Sequence, residues 1–174
     1  IPNEKVNELI DQIDQRKGSI LIFAKTKIGV DKLVKKLKAN SIKASALHGG
    51  MRQNKRSKIM QNFRDERFRI LVATDIASRG LDVPHIEHII NYDMPQAPED
   101  FIHRIGRTAR AGSVGEAVSF LTQKDTRIWR SIERLLNKEE SKRKIGNSKN
   151  EYTSKFKNKK RRRSTTKKKV GGRN

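Results

Sequence analysis

The sequence contains no cysteine, which excludes disulfide bridges and every zinc site built on cysteine. This absence fits a reducing compartment, and we expect a cytoplasmic protein. The histidines, at positions 48, 85, 88 and 103, lack the spacing of metal ligands, so we expect no metal held by this chain. The longest apolar run, residues 20–24, is far too short to cross a bilayer, and we expect a soluble protein.

Sequence signatures of nucleotide hydrolysis are missing as well. There is no GxxxxGK[ST] loop to hold phosphates, no strand-end acidic pair for Mg²⁺ and no GxSxG nucleophile. We therefore expect these residues alone to have no ATPase activity. The first residue is Ile1 rather than Met, and we expect a piece of a longer protein.

What the sequence has in excess is positive charge. Its 174 residues carry 41 Lys and Arg against 19 Asp and Glu, a formal net charge of +22. Residues 141–174 contribute +14 of this, because they hold 15 basic residues and one Glu. Such a charge indicates a polyanionic partner, nucleic acid before membrane, since no basic amphipathic helix with aromatic anchors is evident.

Short apolar runs alternate with segments of helical period, a pattern typical of βαβ units. The predicted strands cover residues 20–24, 43–47, 70–74, 88–91 and 117–121. Apolar spacing predicts helices around Val30 to Leu37, Ile59 to Phe63 and Phe101 to Ile105, with a leading helix at Val6 to Ile13 and a trailing one at Ile128 to Leu136. We predict an α/β domain over residues 1–138, with a doubly wound, mostly parallel sheet flanked by helices. Residues 139–174 have almost nothing to bury and are predicted to form a disordered basic tail.

The segment HRIGRTARAG, residues 103–112, has three arginines at three-residue spacing. Pro98 and two acidic residues predict a helix that begins before it and ends at its last glycine. On such a helix Arg104, Arg107 and Arg110 lie opposite the apolar residues, which predicts one exposed basic face. This face is either solvated, paired with the domain's own carboxylates, or directed at a phosphate. Three arginines without a lysine favour bidentate contacts, and we interpret them as arginine fingers for a nucleotide held mainly by another domain.

Two more segments follow predicted strands, where α/β proteins bind ligands. In ATDIASRGLD, residues 73–82, Gly80 lets the backbone approach an anion and Asp82 has the chemistry to accept from ribose hydroxyls. The alternative is an ordinary strand-to-loop turn. LHGGMRQNKR, residues 47–56, is either a phosphate site at a helix start or a glycine-rich connection.

Together these segments resemble one known family. LIFAKTK, LHGGMRQNKR with QNFR, ATDIASRGLD and HRIGRTARAG are similar to motifs IV, IVa, V and VI of the second RecA-like domain of DEAD-box RNA helicases, in superfamily 2. The closest similarity is to bacterial RhlE-like members. The resemblance implies a RecA-like fold that closes on a first RecA-like domain, with ATP and single-stranded RNA between the two. The first domain would hold Mg²⁺, and the full-length protein would be an ATP-dependent RNA helicase.

The resemblance also implies roles for single residues. Arg107 and Arg110 would contact the γ-phosphate as arginine fingers, and Asp82 would bind the ATP ribose. His103 and Arg104 would pair with acidic and polar groups of the first domain and couple closure to hydrolysis. The residues that would hold the RNA backbone, with little sequence preference, are Thr26, Gly49, Arg56, Thr74 and Gly80.

One position departs from the family pattern and two other functions stay open. Ala109 stands where members usually have glycine, which the apolar side of the predicted helix should tolerate. The chain also fits another superfamily 2 motor, such as a DNA helicase or remodeller. A non-enzymatic basic RNA-binding module is the third candidate, since the tail is suited to tether RNA with steep salt dependence. The tail is otherwise a solvated extension without a role.

Overall fold

The computed structural model describes residues 2–78, 86–108 and 115–138. Strands and helices alternate along these residues. Their order is α1 (Pro2–Asp14), β1 (Ile20–Phe23), α2 (Lys27–Ala39), β2 (Ala44–Leu47), α3 (Gln53–Arg64), β3 (Ile70–Ala73), α4 (Asp75–Ser78), β4 (His88–Asn91), α5 (Pro98–Ile105), β5 (Glu116–Ser119) and a 3₁₀ turn (Gln123–Asp125).

The strands of the described residues form one parallel sheet in the order β2-β3-β1-β4-β5. This confirms the predicted doubly wound α/β class. The first four strands differ from their predicted bounds by at most one residue, and β5 ends two residues early. Because Ile20 lies opposite both Ile70 and His88, the strands are level and their carboxyl ends meet at one edge. Ligands of such sheets bind at this edge.

Both faces of the sheet are covered by helices. Ile20 and Ile22 of β1 point to the cluster formed with α1 and α2, whereas Leu21 and Phe23 point to the cluster that includes Phe63 of α3. Successive strand residues alternate between faces, so a strand buried on both sides is apolar throughout. This is why the run ILIF predicts a central strand.

Helix α5 is shorter than predicted. The expected helix runs from 98 to 112, but α5 ends at Ile105, and the amides of Arg107 and Thr108 donate to carbonyls three residues earlier as in a 3₁₀ turn. A tertiary contact explains the early end: the buried Thr108 hydroxyl donates to the carbonyl of Ile86 at 2.8 Å, next to β4. The predicted helix end lies outside the described residues.

The compact unit that contains the sheet spans Ile1–Ile132. In it residues 126–132 are helical, and Trp129 packs edge-on against Phe101 of α5 with ring centroids 6.0 Å apart. A second unit starts at Glu133, and its described residues, 133–138, are helical. The domain boundary at 138 stays a prediction, and the tail lies outside the described residues. None of the helices in the described ranges has the length and apolar character that a membrane span requires.

Candidate functional site

An open crevice of about 750 Å³ lies at the carboxyl edge of the sheet. Its walls come from the segments that follow β1, β2, β3 and β4 and from α5, because parallel strands end at the same edge. The lining residues are Lys25, Thr26, Lys27, Gly49, Thr74, Asp75, Ile76, Met94, Pro95, Gln96 and Asp100. The crevice is therefore assembled from segments far apart in the sequence.

The amino end of α2 forms one wall of the crevice. Thr26 is the N-cap, and its hydroxyl oxygen accepts a hydrogen bond from the amide of Gly29 at 2.9 Å. Lys25 and Lys27 are exposed on either side of it. A side chain at Gly49 would meet nothing closer than the Lys27 Cε atom at 3.9 Å, so this wall is open. Two ammonium groups and a helix amino end make it attractive to an anion.

The turn that follows β2 is held by His48, whose ring is buried. The Gly50 amide donates to its Nδ1 at 3.2 Å, so Nε2 carries the proton and faces the Asp31 carboxylate at 3.1 Å. Through these bonds α2 fixes the loop that places Gly49 in the crevice.

A buried guanidinium joins the ends of three strands. Arg104 of α5 donates from Nε and Nη2 to the two carboxylate oxygens of Asp75, at 2.6 and 2.8 Å. Its Nη1 donates to the Asn91 side-chain oxygen at 2.9 Å and to the Asp93 carbonyl at 2.7 Å. The guanidinium carbon lies 4.7 Å from the centre of the Phe23 ring. Arg104 thus connects α5 to the ends of β1, β3 and β4.

The predicted exposed face is wrong for Arg104, which is only 2 % exposed. Its acidic partner, Asp75, belongs to the same domain rather than to a first domain. A helical projection assigns every arginine to the exposed side because the residue is charged. Here the oxygen acceptors at the strand ends stabilise the Arg104 guanidinium in a buried position. His103, by contrast, has a 68 % exposed side chain, with Nδ1 3.9 Å from a carboxylate oxygen of Asp100.

A smaller cleft adjoins the crevice. Arg107 is half-buried beyond the end of α5 and borders this cleft. The other residues around it are Asp75, Ser78, Asp100, His103 and Arg104. Since Asp75 and Asp100 also line the crevice, the two depressions are neighbours at the same edge of the sheet.

The structure brings together part of the predicted site. Thr26, Gly49 and Thr74 line the crevice. Arg56 does not: it lies in the first turn of α3, with its Nη1 3.4 Å from the side-chain oxygen of Gln53. Its Nε is buried without a partner in the described part of the chain. Three further predicted residues lie outside the described ranges, namely Gly80, Asp82 and Arg110.

Sequence reasoning missed Asp93, which follows β4. Its carboxylate accepts from the Lys5 ammonium of α1 and from the Lys25 amide at the crevice, both at 3.0 Å. Lys5 also lies 4.2 Å from the centre of the Tyr92 ring. Burial and then the neighbouring Asp93 raise the pKa of the Tyr92 phenol, which stays neutral. The sequence feature that could have drawn attention to this strand end is Asn91, a polar residue at the end of a mostly apolar strand.

The strand-end carboxylate of the crevice does not fit a magnesium site. Both oxygens of Asp75 accept from Arg104. Within 2–78, 86–108 and 115–138, no three His, Asp or Glu side chains are grouped closely enough to hold a metal ion.

The cap at the crevice gives a first prediction. Replacing Thr26 by alanine should lower the free energy of unfolding by about 1 kcal/mol, because the Gly29 amide loses its acceptor, while serine should preserve it. Urea denaturation of the three proteins measures this difference. Equal stability of the alanine and serine variants would show that the cap contributes nothing.

Comparison with known proteins gives consistent matches. Residues 4–112 match the family described as helicase conserved C-terminal domain. The chain is similar to the ATP-dependent RNA helicase DBP8 of Vanderwaltozyma polyspora, with 41% identity over 131 residues, which are 75% of this chain and 30% of that protein. The chain thus spans about three tenths of the length of that relative.

Solved structures agree with the sequence matches. The Escherichia coli DEAD-box protein SrmB, bound to regulator of ribonuclease activity A, has a TM-score of 0.72 and 34% identity, over 76% of this chain and 79% of that chain. Saccharomyces cerevisiae Dbp5, bound to RNA and ADP BeF3, has a TM-score of 0.71 and 35% identity, over 75% and 35% of the two chains.

Proposed function

The chain belongs to the helicase conserved C-terminal domain family, as a RecA-like domain of the DEAD-box type, and from this we propose its role in the full-length protein. It is the second RecA-like domain of an ATP-dependent RNA helicase, and supplies RNA-backbone contacts and arginine fingers for local duplex unwinding. The observation that carries this proposal is the single edge of the sheet at which the crevice of Thr26, Gly49 and Thr74 adjoins the cleft of Arg107.

The crevice has the chemistry to hold a nucleic-acid backbone. The Thr26 hydroxyl oxygen accepts from an amide, so its proton remains available to a phosphate oxygen. Lys25 and Lys27 add positive charge, and the open wall at Gly49 lets a sugar-phosphate chain approach the backbone. Contacts of this kind do not read bases, so binding has little sequence preference. The relative Dbp5 has been solved with RNA, which supports this part of the proposal.

The cleft serves the nucleotide. Arg107 reaches a γ-phosphate that the first domain holds, and Arg110 and Asp82 contact the phosphate and the ribose. The first domain supplies the phosphate loop and Mg²⁺. ATP and RNA bind cooperatively across the gap, closure bends one strand so that a short duplex separates, and hydrolysis reopens the gap. During phosphoryl transfer an arginine stabilises charge that develops on the phosphate oxygens.

His103 and Arg104 divide the coupling role between them. His103 contacts the first domain directly, which its exposed position beside Asp100 supports. Arg104 acts from within, because its bonds to Asp75 and Asn91 fix the helix that carries His103. Cytoplasmic location and the RhlE-like subgroup remain parts of the proposal.

RNA-dependent ATP turnover tests the proposal. We expect the full-length protein to hydrolyse ATP when single-stranded RNA is added, and the 174-residue chain to show no turnover under the same conditions. A phosphate-release assay with RNA, with DNA of the same sequence and without nucleic acid measures this. DNA stimulation equal to that of RNA would favour a DNA motor, and RNA binding without any ATP turnover would favour the non-enzymatic module.

A further inference from the structure

The outward face of α2 is strongly basic. The helix contains five lysines and one acidic residue, Asp31. Its buried residues are all apolar and occupy the other side. Four of the lysines lie beyond the crevice and are exposed; we call them the α2 lysine face, and they are Lys32, Lys35, Lys36 and Lys38.

The charge of this face is not neutralised within the described residues. None of the four lysines forms an ion pair there. Asp31, the acidic residue of α2, is directed to the His48 ring. Lys43, which is exposed and follows the end of α2, adds to the same sign of charge.

The helix links this face to the crevice. Thr26 and Lys27, at its amino end, line the crevice, and the remaining turns extend for about 20 Å at 1.5 Å per residue. Lys32 and Lys36 lie one turn apart on the exposed side. A polyanion that leaves the crevice past Lys27 therefore meets further ammonium groups, which are spread over the exposed half of the same helix.

Helix stability alone does not explain the pattern. Lysines in the last turn, such as Lys36 and Lys38, interact favourably with the helix dipole. Lys32 and Lys35 lie in the middle of the helix, where this effect is small. Lys32 and Lys36 lie one helical turn apart and repel each other, which costs stability unless an anion is bound.

We propose that the α2 lysine face binds the backbone of the RNA segment that flanks the strand in the crevice. The proposal rests on the proposed function, because it extends the same RNA beyond the crevice. Positive charge fits any polyanion, and the connection of α2 to the crevice selects RNA over an acidic protein as the occupant. Backbone binding of this kind is independent of sequence and sensitive to salt.

The test replaces Lys32, Lys35 and Lys36 by glutamine in the full-length protein. Fluorescence anisotropy measures binding to a short single-stranded RNA that spans only the crevice, and to a longer RNA with the same core and added flanks. For the longer RNA we expect the dissociation constant to rise about tenfold. The plot of log association constant against log salt should become less steep, by about 2 in slope, because three phosphate contacts are lost. Binding of the short RNA should change less than about twofold.

A matched control removes three charges elsewhere. Lys124, Arg127 and Arg130 follow β5, at the opposite edge of the sheet from α2, and are exposed. Their replacement by glutamine should leave the long-RNA affinity and salt slope near the wild-type values, and the basic tail is the same in every variant.

The remaining outcomes overturn the proposal. An equal loss in the control variant, or an equal loss for short and long RNA, would show a general charge effect. Unchanged long-RNA binding in the α2 variant would leave an acidic protein as the occupant of the face. If wild-type protein does not bind the short RNA, the proposed function itself fails and this extension fails with it.

Discussion

Replacing Arg107 by alanine in the full-length protein should lower RNA-stimulated ATP turnover by roughly 10³- to 10⁵-fold, the range known for arginine fingers. The guanidinium is expected to contact the transferred phosphoryl group, where negative charge grows in the transition state. Nothing else among the described residues of the cleft supplies an equivalent group, since Arg104 is committed to Asp75. Lysine at this position should restore little, because it lacks the planar fork of donors.

The same substitution should leave the fold intact. Arg107 lies beyond α5 and is half-buried, so its truncation should change the free energy of unfolding by about 1 kcal/mol or less. Arg127→Ala is the matched control, an exposed arginine outside the cleft whose loss should not affect turnover. Steady-state phosphate release and urea denaturation of the same preparations separate catalysis from stability. Near-normal turnover of Arg107→Ala would refute the finger role.

The sheet was predictable because its strands are buried on both faces. Runs such as ILIF and ILVA are apolar throughout, and they are bounded by polar segments of helical period. Their carboxyl ends identify the edge where ligands bind, and Thr26, Gly49 and Thr74 lie together there. The local sequence pattern was therefore sufficient to predict the strands and the edge of the sheet that binds ligands.

Two features that the sequence did not predict, the early end of α5 and the role of Asp93, depend on contacts between residues far apart in the chain. Helix α5 ends early because Thr108 bonds to the Ile86 carbonyl, 22 residues away. Asp93 joins the crevice to Lys5 of α1 across 88 residues. No periodicity within one segment carries such information, since each bond depends on which segments the sheet brings together.

The largest structural effect is expected at Arg104. Its replacement by alanine should lower the free energy of unfolding by about 3 to 5 kcal/mol, as when one partner of a buried ion pair is removed. The substitution leaves the Asn91 side-chain oxygen and the Asp93 carbonyl without a donor and removes the contact with Phe23. Asp75 loses its bidentate partner, although its side chain, 28 % exposed, regains some water.

Arg67 provides the matched control for this experiment. It also has a carboxylate partner, Asp65 at 3.9 Å, but both side chains are exposed, so Arg67→Ala should cost less than about 1 kcal/mol. Urea denaturation of both variants measures the two costs. Combining Arg104→Ala with Asp75→Asn should cost less than the sum of the single changes, because the two residues share one interaction. Additive costs, or equal losses for Arg104→Ala and Arg67→Ala, would show that the buried guanidinium does not hold the strand ends together.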